Sequence, residues 1–210
     1  MRKTAVTILS LICLIPAWAQ NNAEQLLQKT VSKLEKDGGI FMAMDVKTRF
    51  EESTDIIDME LSIKDGCFFV REDDNSMWFD GNTLWRGNDF GSGIEEIYIT
   101  EPTKDEKDRY DIIGLLGKHQ GFSVTGNGTD TFTLTASTPE RSVEGIQKIT
   151  VKVDPKTVQV KSLEIEFDQQ LGSISASVLI SQYKPGQKFD KKTFTCPVKD
   201  YKDAEIIDLR

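Results

Sequence analysis

From Ile40 onward apolar and polar residues alternate with a period of two. Ile40, Met42, Met44 and Val46 fall on one face, while Ala43, Asp45, Lys47 and Arg49 fall mostly on the other. The next segment repeats the pattern, with Ile57, Met59, Leu61 and Ile63 set against Asp58, Glu60, Ser62 and Lys64. Alternation of this kind marks half-buried antiparallel strands. Shorter runs follow at hairpin spacing: Cys67 to Arg71, Met77 to Asp80, Thr83 to Arg86 and Ile94 to Thr100, with Asp80-Gly81-Asn82 and Gly91-Ser92-Gly93 as turns. A second series runs Phe122 to Thr125, Thr131 to Ala136, Ile146 to Val153, Val158 to Phe167, Ser173 to Tyr183 and Thr193 to Val198, punctuated by Asp154-Pro155-Lys156 and Gly172.

Two stretches change to helical spacing. Ala23, Leu26, Leu27, Val31 and Leu34 recur along one helix face, with Asn21 or Asn22 as the cap and Gly38-Gly39 as the stop. After Pro102 a charged run leads into Ile112, Ile113, Leu115 and Leu116, which are too apolar for an exposed helix and so are expected to cover something. About a dozen strands, two helices and no compositional break read as one domain, residues 20–210. Antiparallel sheets of this size curl into barrels or sandwiches. Eight strands already close around a filled interior or one small ligand, so ten or more wrapped into a barrel leave room for something larger.

The first residues change the compartment. Arg2 and Lys3, an apolar run from Ala5 to Ile15, and Ala17-Trp18-Ala19 have the layout of a secretory signal peptide, residues 1–19, too short to span a bilayer. Export is expected, and since Ile12 precedes Cys13 the lipid-bearing cysteine of a lipoprotein is not. Cys67 and Cys196 then remain, an even pair in an oxidising compartment: either a candidate disulfide or two buried free thiols.

Charge and chemistry narrow the function by exclusion. Lys and Arg total 26 against 34 Asp and Glu, a net charge of −8, so nucleic acid and anionic surfaces are poor partners. The single histidine, His119, has no motif around it, and no G-x-S-x-G is present. Two cysteines and one histidine cannot supply a zinc cage, and Asp73-Asp74-Asn75 lacks the spacing of a calcium loop. Neither an enzyme nor a metal or cofactor protein is expected.

The string Met77-Trp78-Phe79-Asp80-Gly81-Asn82-Thr83-Leu84-Trp85 resembles the D-G-x-T-L-W hairpin of the LolA-like family, the periplasmic lipoprotein carriers of the Lol system. The order of an opening helix, two long alternating strands, this hairpin, a mid-chain apolar helix and paired strands is similar too, and Phe194-Thr195-Cys196-Pro197 is similar to the family's closing F-x-x-P. The resemblance implies an incompletely closed antiparallel barrel of about ten to twelve strands, capped by helices, around a cavity for acyl chains. It also implies a monomeric carrier that takes acylated lipoproteins from an inner-membrane releasing complex to an outer-membrane acceptor. One position departs: where the family places an Arg in a K-R-P context that bonds the lid, this chain has Lys64-Asp65-Gly66.

An acyl chain of ~16 carbons left in water costs on the order of 12 kcal/mol, so a carrier must cover most of it. Flexible, polarizable methionine suits such a lining. Met42, Met44, Val46, Ile57, Met59, Leu61 and Ile63 are the candidate cavity residues, with ordinary core as the alternative. Trp78, Phe79, Leu84 and Trp85 are a candidate rim hairpin that either meets lipid or packs on itself. Ile112, Ile113, Leu115 and Leu116 are the candidate lid. A different class remains open: a lipid-binding sensor or regulatory protein of the same fold. On this reading Met42→Glu or Leu61→Glu is expected to cost acyl binding more than stability.

Overall fold

The computed structural model describes residues 14–91, 93–103, 112–117, 121–126, 128–137, 145–168 and 174–210, with backbone alone for 14–21, 112–113 and 115. A long helix α1 (Leu14–Asp37) leads into β1 (Ile40–Phe50), β2 (Ser53–Lys64), β3 (Cys67–Glu72), β4 (Asn75–Phe79), β5 (Leu84–Asp89) and β6 (Ile94–Thr100). A one-and-a-half-turn helix α2 (Ile112–Gly117) precedes β7 (Phe122–Gly126), β8 (Thr131–Ala136), β9 (Ile146–Val153), β10 (Val160–Phe167) and β11 (Ile174–Lys184). Two 3-10 turns, Lys191–Phe194 and Val198–Asp200, lead to β12 (Glu205–Asp208).

All twelve strands join one sheet in the order β12-β6-β5-β4-β3-β2-β1-β11-β10-β9-β8-β7. Two antiparallel meanders, β1 to β6 and β7 to β11, meet where β1 pairs with β11. The end strands β7 and β12 do not pair with each other, so the sheet stays open. This is the incompletely closed, mainly β architecture expected from the sequence.

Three local expectations are corrected. α1 does not begin at Asn21 or Asn22: it is already helical at Leu14, because Pro16 is tolerated in a first turn and the alanines that follow favour helix. Thr193 to Val198 is not a strand. Asp190 accepts a bond from Thr193 N–H (3.1 Å) and starts a 3-10 turn, and Pro197, without an N–H, opens the next. The twelfth strand is instead Glu205–Asp208, which pairs parallel with β6. β10 begins at Val160 rather than Val158, since Val158 takes φ +60° to close a turn in which Asp154 Oδ1 accepts from Lys156 and Thr157 N–H.

The helix is fixed to the sheet at two places. Near its middle, Ala23 packs against Gly126 of β7 so closely that a Cβ on Gly126 would lie 2.9 Å from the Ala23 Cβ. At its end Gly38 takes φ +66°, a conformation that suits glycine, and the chain turns into β1. There Gly186 N–H bonds Asp37 O (2.9 Å), Gln187 N–H bonds Gly39 O (2.8 Å), and Tyr183 Oη donates to Asp37 Oδ2 (2.7 Å), while Lys33 pairs with the other carboxylate oxygen. α1 thus crosses the end of the sheet where β1 starts and β7 finishes. Thr30, fully buried on it, is satisfied by Leu26 O at 2.9 Å.

Burial, then the bond to Asp37, pushes the Tyr183 phenol well above its ordinary range. A group held protonated by the fold adds stability that is whole below its free value, about 10 for a phenol, and is lost as pH rises beyond it. Stability measured by denaturant titration is therefore expected to fall above that pH in the parent protein, and to fall less steeply in Tyr183→Phe.

Candidate functional site

The period of two puts the predicted cavity residues on one face, and the register joins them. Ile40 lies opposite Ile63, Met42 opposite Leu61, Met44 opposite Met59, and Val46 opposite Ile57. The row continues on β11 through Tyr183, Ile180, Val178 and Ala176, and on β3 through Phe68 and Val70. Leu163 and Ile165 of β10, Val151 and Ile149 of β9, and Phe132 and Leu134 of β8 extend it across the other half. The sheet therefore carries one apolar face from β3 to β8, and α1 packs on it through Ala23, Leu27 and Leu34.

Exposure along this face has a direction. On β1 Ile40 and Met42 are 0% exposed and Met44 7%, whereas Val46 is half-buried; on β2 Leu61 is 6% exposed, while Ile57, Met59 and, at the far end, Ile63 are half-buried. Ile174 and Ala176 of β11 and Ile165 of β10 are half-buried at the same level. So the face is covered where α1 crosses it and uncovered toward the β1–β2 turn. There Phe50 is 51% exposed. The result is a strip of apolar face along β1, β2 and β11, covered at one end and half-exposed at the other, where Thr48 and Asp55 border it; we call this strip the trough.

The predicted hairpin divides between two faces. Phe79 and Leu84 pair with each other and belong to the apolar face. Trp78 and Trp85 also pair, but on the opposite face, in a separate cluster with Ile97, Ile99 and Cys196. The C-terminal segment covers that cluster: Tyr201 stacks 6.3 Å from Trp78, and Val198 and Ala204 pack beside it. Within the predicted lid, Leu116 is fully buried against the core and Gly117 lies beside Val31 of α1, while the side chains of Ile112, Ile113 and Leu115 lie outside the described residues. His119 also lies outside them.

The candidate disulfide is not formed; both thiols are free. Cys196 sits under the C-terminal segment among the tryptophans, and burial pushes its thiol up to about 12. Cys67 opens β3 beside the Asp80-Gly81 turn, half-buried, its thiol raised by burial and by the carboxylates of Asp80 and Asp65. Both shifts disfavour the thiolate. Lys64, which begins the Lys64-Asp65-Gly66 turn, donates to Phe189 O (3.1 Å) and so ties the C-terminal segment to the end of β2.

Among the described residues no three His, Cys, Asp or Glu side chains are grouped to hold a metal, and no helix is long and apolar enough to cross a membrane. A pocket of about 460 Å³ beside Met44 and Met59 is walled by Asp45, Asp58, Glu60, Asp73 and Arg71. Carboxylates suit no hydrocarbon, so the trough rather than this pocket is the apolar site.

Sequence reasoning missed the β10 and β11 half of the trough. Its signal was present in the alternation Ile174, Ala176, Val178, Ile180.

Fold and face define a class: an open, mainly antiparallel twelve-stranded sheet with a helix packed across one end of its apolar face. No family model matches the chain, and no curated protein matches it in sequence. Solved structures do match. A LolA superfamily protein from Nitrosomonas europaea is 14% identical over 85% of this chain and 98% of its own, with a TM-score of 0.44. An uncharacterized conserved protein from Thermus thermophilus is 12% identical over 86% and 98%, with a TM-score of 0.54. A DUF1329 family protein from Desulfovibrio piger is 6% identical over 86% and 98%, with a TM-score of 0.46. At these identities the likeness is one of fold.

Proposed function

We propose that the protein is a periplasmic carrier that shields the acyl chains of lipoproteins in the trough and delivers them to the outer membrane. The observation that carries this reading is the graded face, Met42–Leu61 to Val46–Ile57, buried at one end and open at the other. A trough open along one end admits an extended chain and covers its methylenes, each worth about 0.8 kcal/mol. The signal-like segment before Gln20 and the D-G-x-T-L-W hairpin support the periplasmic setting and the cargo class. Donor and acceptor would then be an inner-membrane releasing complex and an outer-membrane lipoprotein receptor.

Native mass spectrometry of protein purified from its own periplasm tests this. A complex with a triacylated lipoprotein is the expected result. Free fatty acid or phospholipid alone would reduce the protein to a lipid binder or sensor, and bare protein across repeated preparations would remove the acyl ligand altogether.

A further inference from the structure

The net negative charge conceals a local excess of the opposite sign. Between Lys184 and Asp203 the chain carries six lysines, at 184, 188, 191, 192, 199 and 202, against three aspartates. All six are exposed, and among the described residues none is in an ion pair. Lys184 lies over the Phe41 ring at 5.0 Å, and the carboxylate of Asp190 is occupied by Thr193.

The segment is held in place rather than trailing. Lys64 grips Phe189 O, Phe189 meets Phe194 edge-on at 5.6 Å, and Val198 and Tyr201 pack on the tryptophan cluster. Lys184 ends β11 next to Phe41, and the Lys191–Phe194 turn follows Phe189, which is tied to the last residue of β2. Lys184, Lys188, Lys191 and Lys192 therefore sit at the end of the sheet opposite the open end of the trough, while Lys199 and Lys202 belong to the stretch that packs on the tryptophan cluster. Leu209, 63% exposed, bonds through its N–H to Ile99 O near the same end of β6.

We propose that this lysine segment docks on an anionic lipid surface. The residue choice argues for lipid over an acidic protein: protein interfaces favour Arg, whose planar fork needs fixed partners, and are depleted in Lys. The segment contains no Arg. Compact charges on flexible stems match a layer of mobile headgroups, and exposed Leu209 adds an apolar contact. Asp65 and Asp80 stand around Cys67 with Lys191 and offset part of this charge, and with a screening length of about 10 Å at 0.1 M salt a headgroup meets the remaining local excess rather than the net charge. The trough mouth stays free, so docking and loading are compatible. The binding does not depend on the acyl-carrier role.

The test is co-sedimentation of the purified protein with vesicles of phosphatidylcholine alone or mixed with phosphatidylglycerol. Binding is expected only to the mixed vesicles and is expected to disappear at high salt. Each lysine near such a surface is worth about fivefold, so the combined Lys188→Gln, Lys191→Gln and Lys192→Gln variant is expected to bind on the order of a hundredfold more weakly. Lys152→Gln with Lys161→Gln, exposed on β9 and β10, is expected to bind like the parent. Fluorescent fatty-acid uptake by the triple variant, measured alongside, separates failure of docking from failure of the carrier reading. Equal binding to both vesicles, binding insensitive to salt, parent-like binding by the triple variant, or no binding to either vesicle overturns the proposal; in the last case an acidic protein surface is the partner to seek.

Discussion

Ile57→Glu is expected to abolish acyl-chain uptake while leaving the protein folded. Ile57 is half-buried and lies opposite Val46 in the open part of the trough. In the empty protein a carboxylate there keeps water, so the cost to stability is small. With an acyl chain seated, the same carboxylate would be pressed against hydrocarbon, a penalty of several kcal/mol and a loss of affinity of at least about a hundredfold. Displacement of a fluorescent fatty acid measures the first effect, and thermal unfolding the second. Ile56→Glu is the control: one residue earlier, on the other face and 66% exposed, it is expected to change neither. Equal binding by Ile57→Glu and the parent would make the trough plain core.

The structure moves this test away from Met42 and Leu61. Both lie at the covered end, Met42 at 0% and Leu61 at 6% exposure. A Glu at Met42 would bury an unpaired charge in the empty protein, with a destabilisation of about 3–5 kcal/mol, and loss of binding would then report only loss of fold. Sharing a face was legible in the sequence, because side-chain direction alternates strictly along a strand. Depth along that face was not, since it depends on where α1 crosses, and that crossing is fixed by contacts with Gly126, Tyr183 and Gln187, far away in sequence.

The same alternation divides the hairpin. Trp78-Phe79 and Leu84-Trp85 are neighbours in sequence, so each pair must divide between the two faces of the sheet. The four residues therefore serve two faces rather than one rim. The tryptophans stabilise the attachment of the C-terminal segment, and Phe79 and Leu84 close the apolar face near Phe68, whose ring lies 5.2 Å from that of Phe79. The twelfth strand was not legible: Glu205-Ile206-Ile207-Asp208 is four residues long, and a parallel partner more than a hundred residues away leaves no turn signal between them. The unformed disulfide has a similar origin. Two cysteines behind a signal-like segment permit a bridge, but only the fold says that one thiol lies under the C-terminal segment among tryptophans and the other beside the Asp80-Gly81 turn.

Gly39→Ala is expected to be the most damaging small substitution in the described structure, at or above about 3 kcal/mol, or roughly 6–12 °C in Tm for a domain of this size. A Cβ at Gly39 would overlap the carbonyl oxygen of Gln187 and lie 3.1 Å from its carbonyl carbon and 3.2 Å from Phe189 Cδ2. Two of these are backbone atoms that no rotamer change can move. Relief would have to displace Gln187, whose N–H bonds Gly39 O, and Phe189, whose carbonyl holds Lys64. One methyl group therefore loosens the end of α1 and the C-terminal segment together. Gly38→Ala is the informative comparison. Gly38 has the strained backbone, φ +66°, but nothing lies within 4 Å of its would-be Cβ. Its cost is that of an alanine in a left-handed conformation, about 1–2 kcal/mol. Thermal unfolding of the two variants should thus rank them against conformational preference. Gly39, at an ordinary φ, should be the more sensitive position, because the junction between helix, first strand and C-terminal segment is limited by backbone packing. The opposite order would mean that the contact relaxes freely and that α1 is held chiefly by its side chains, Tyr183–Asp37 foremost.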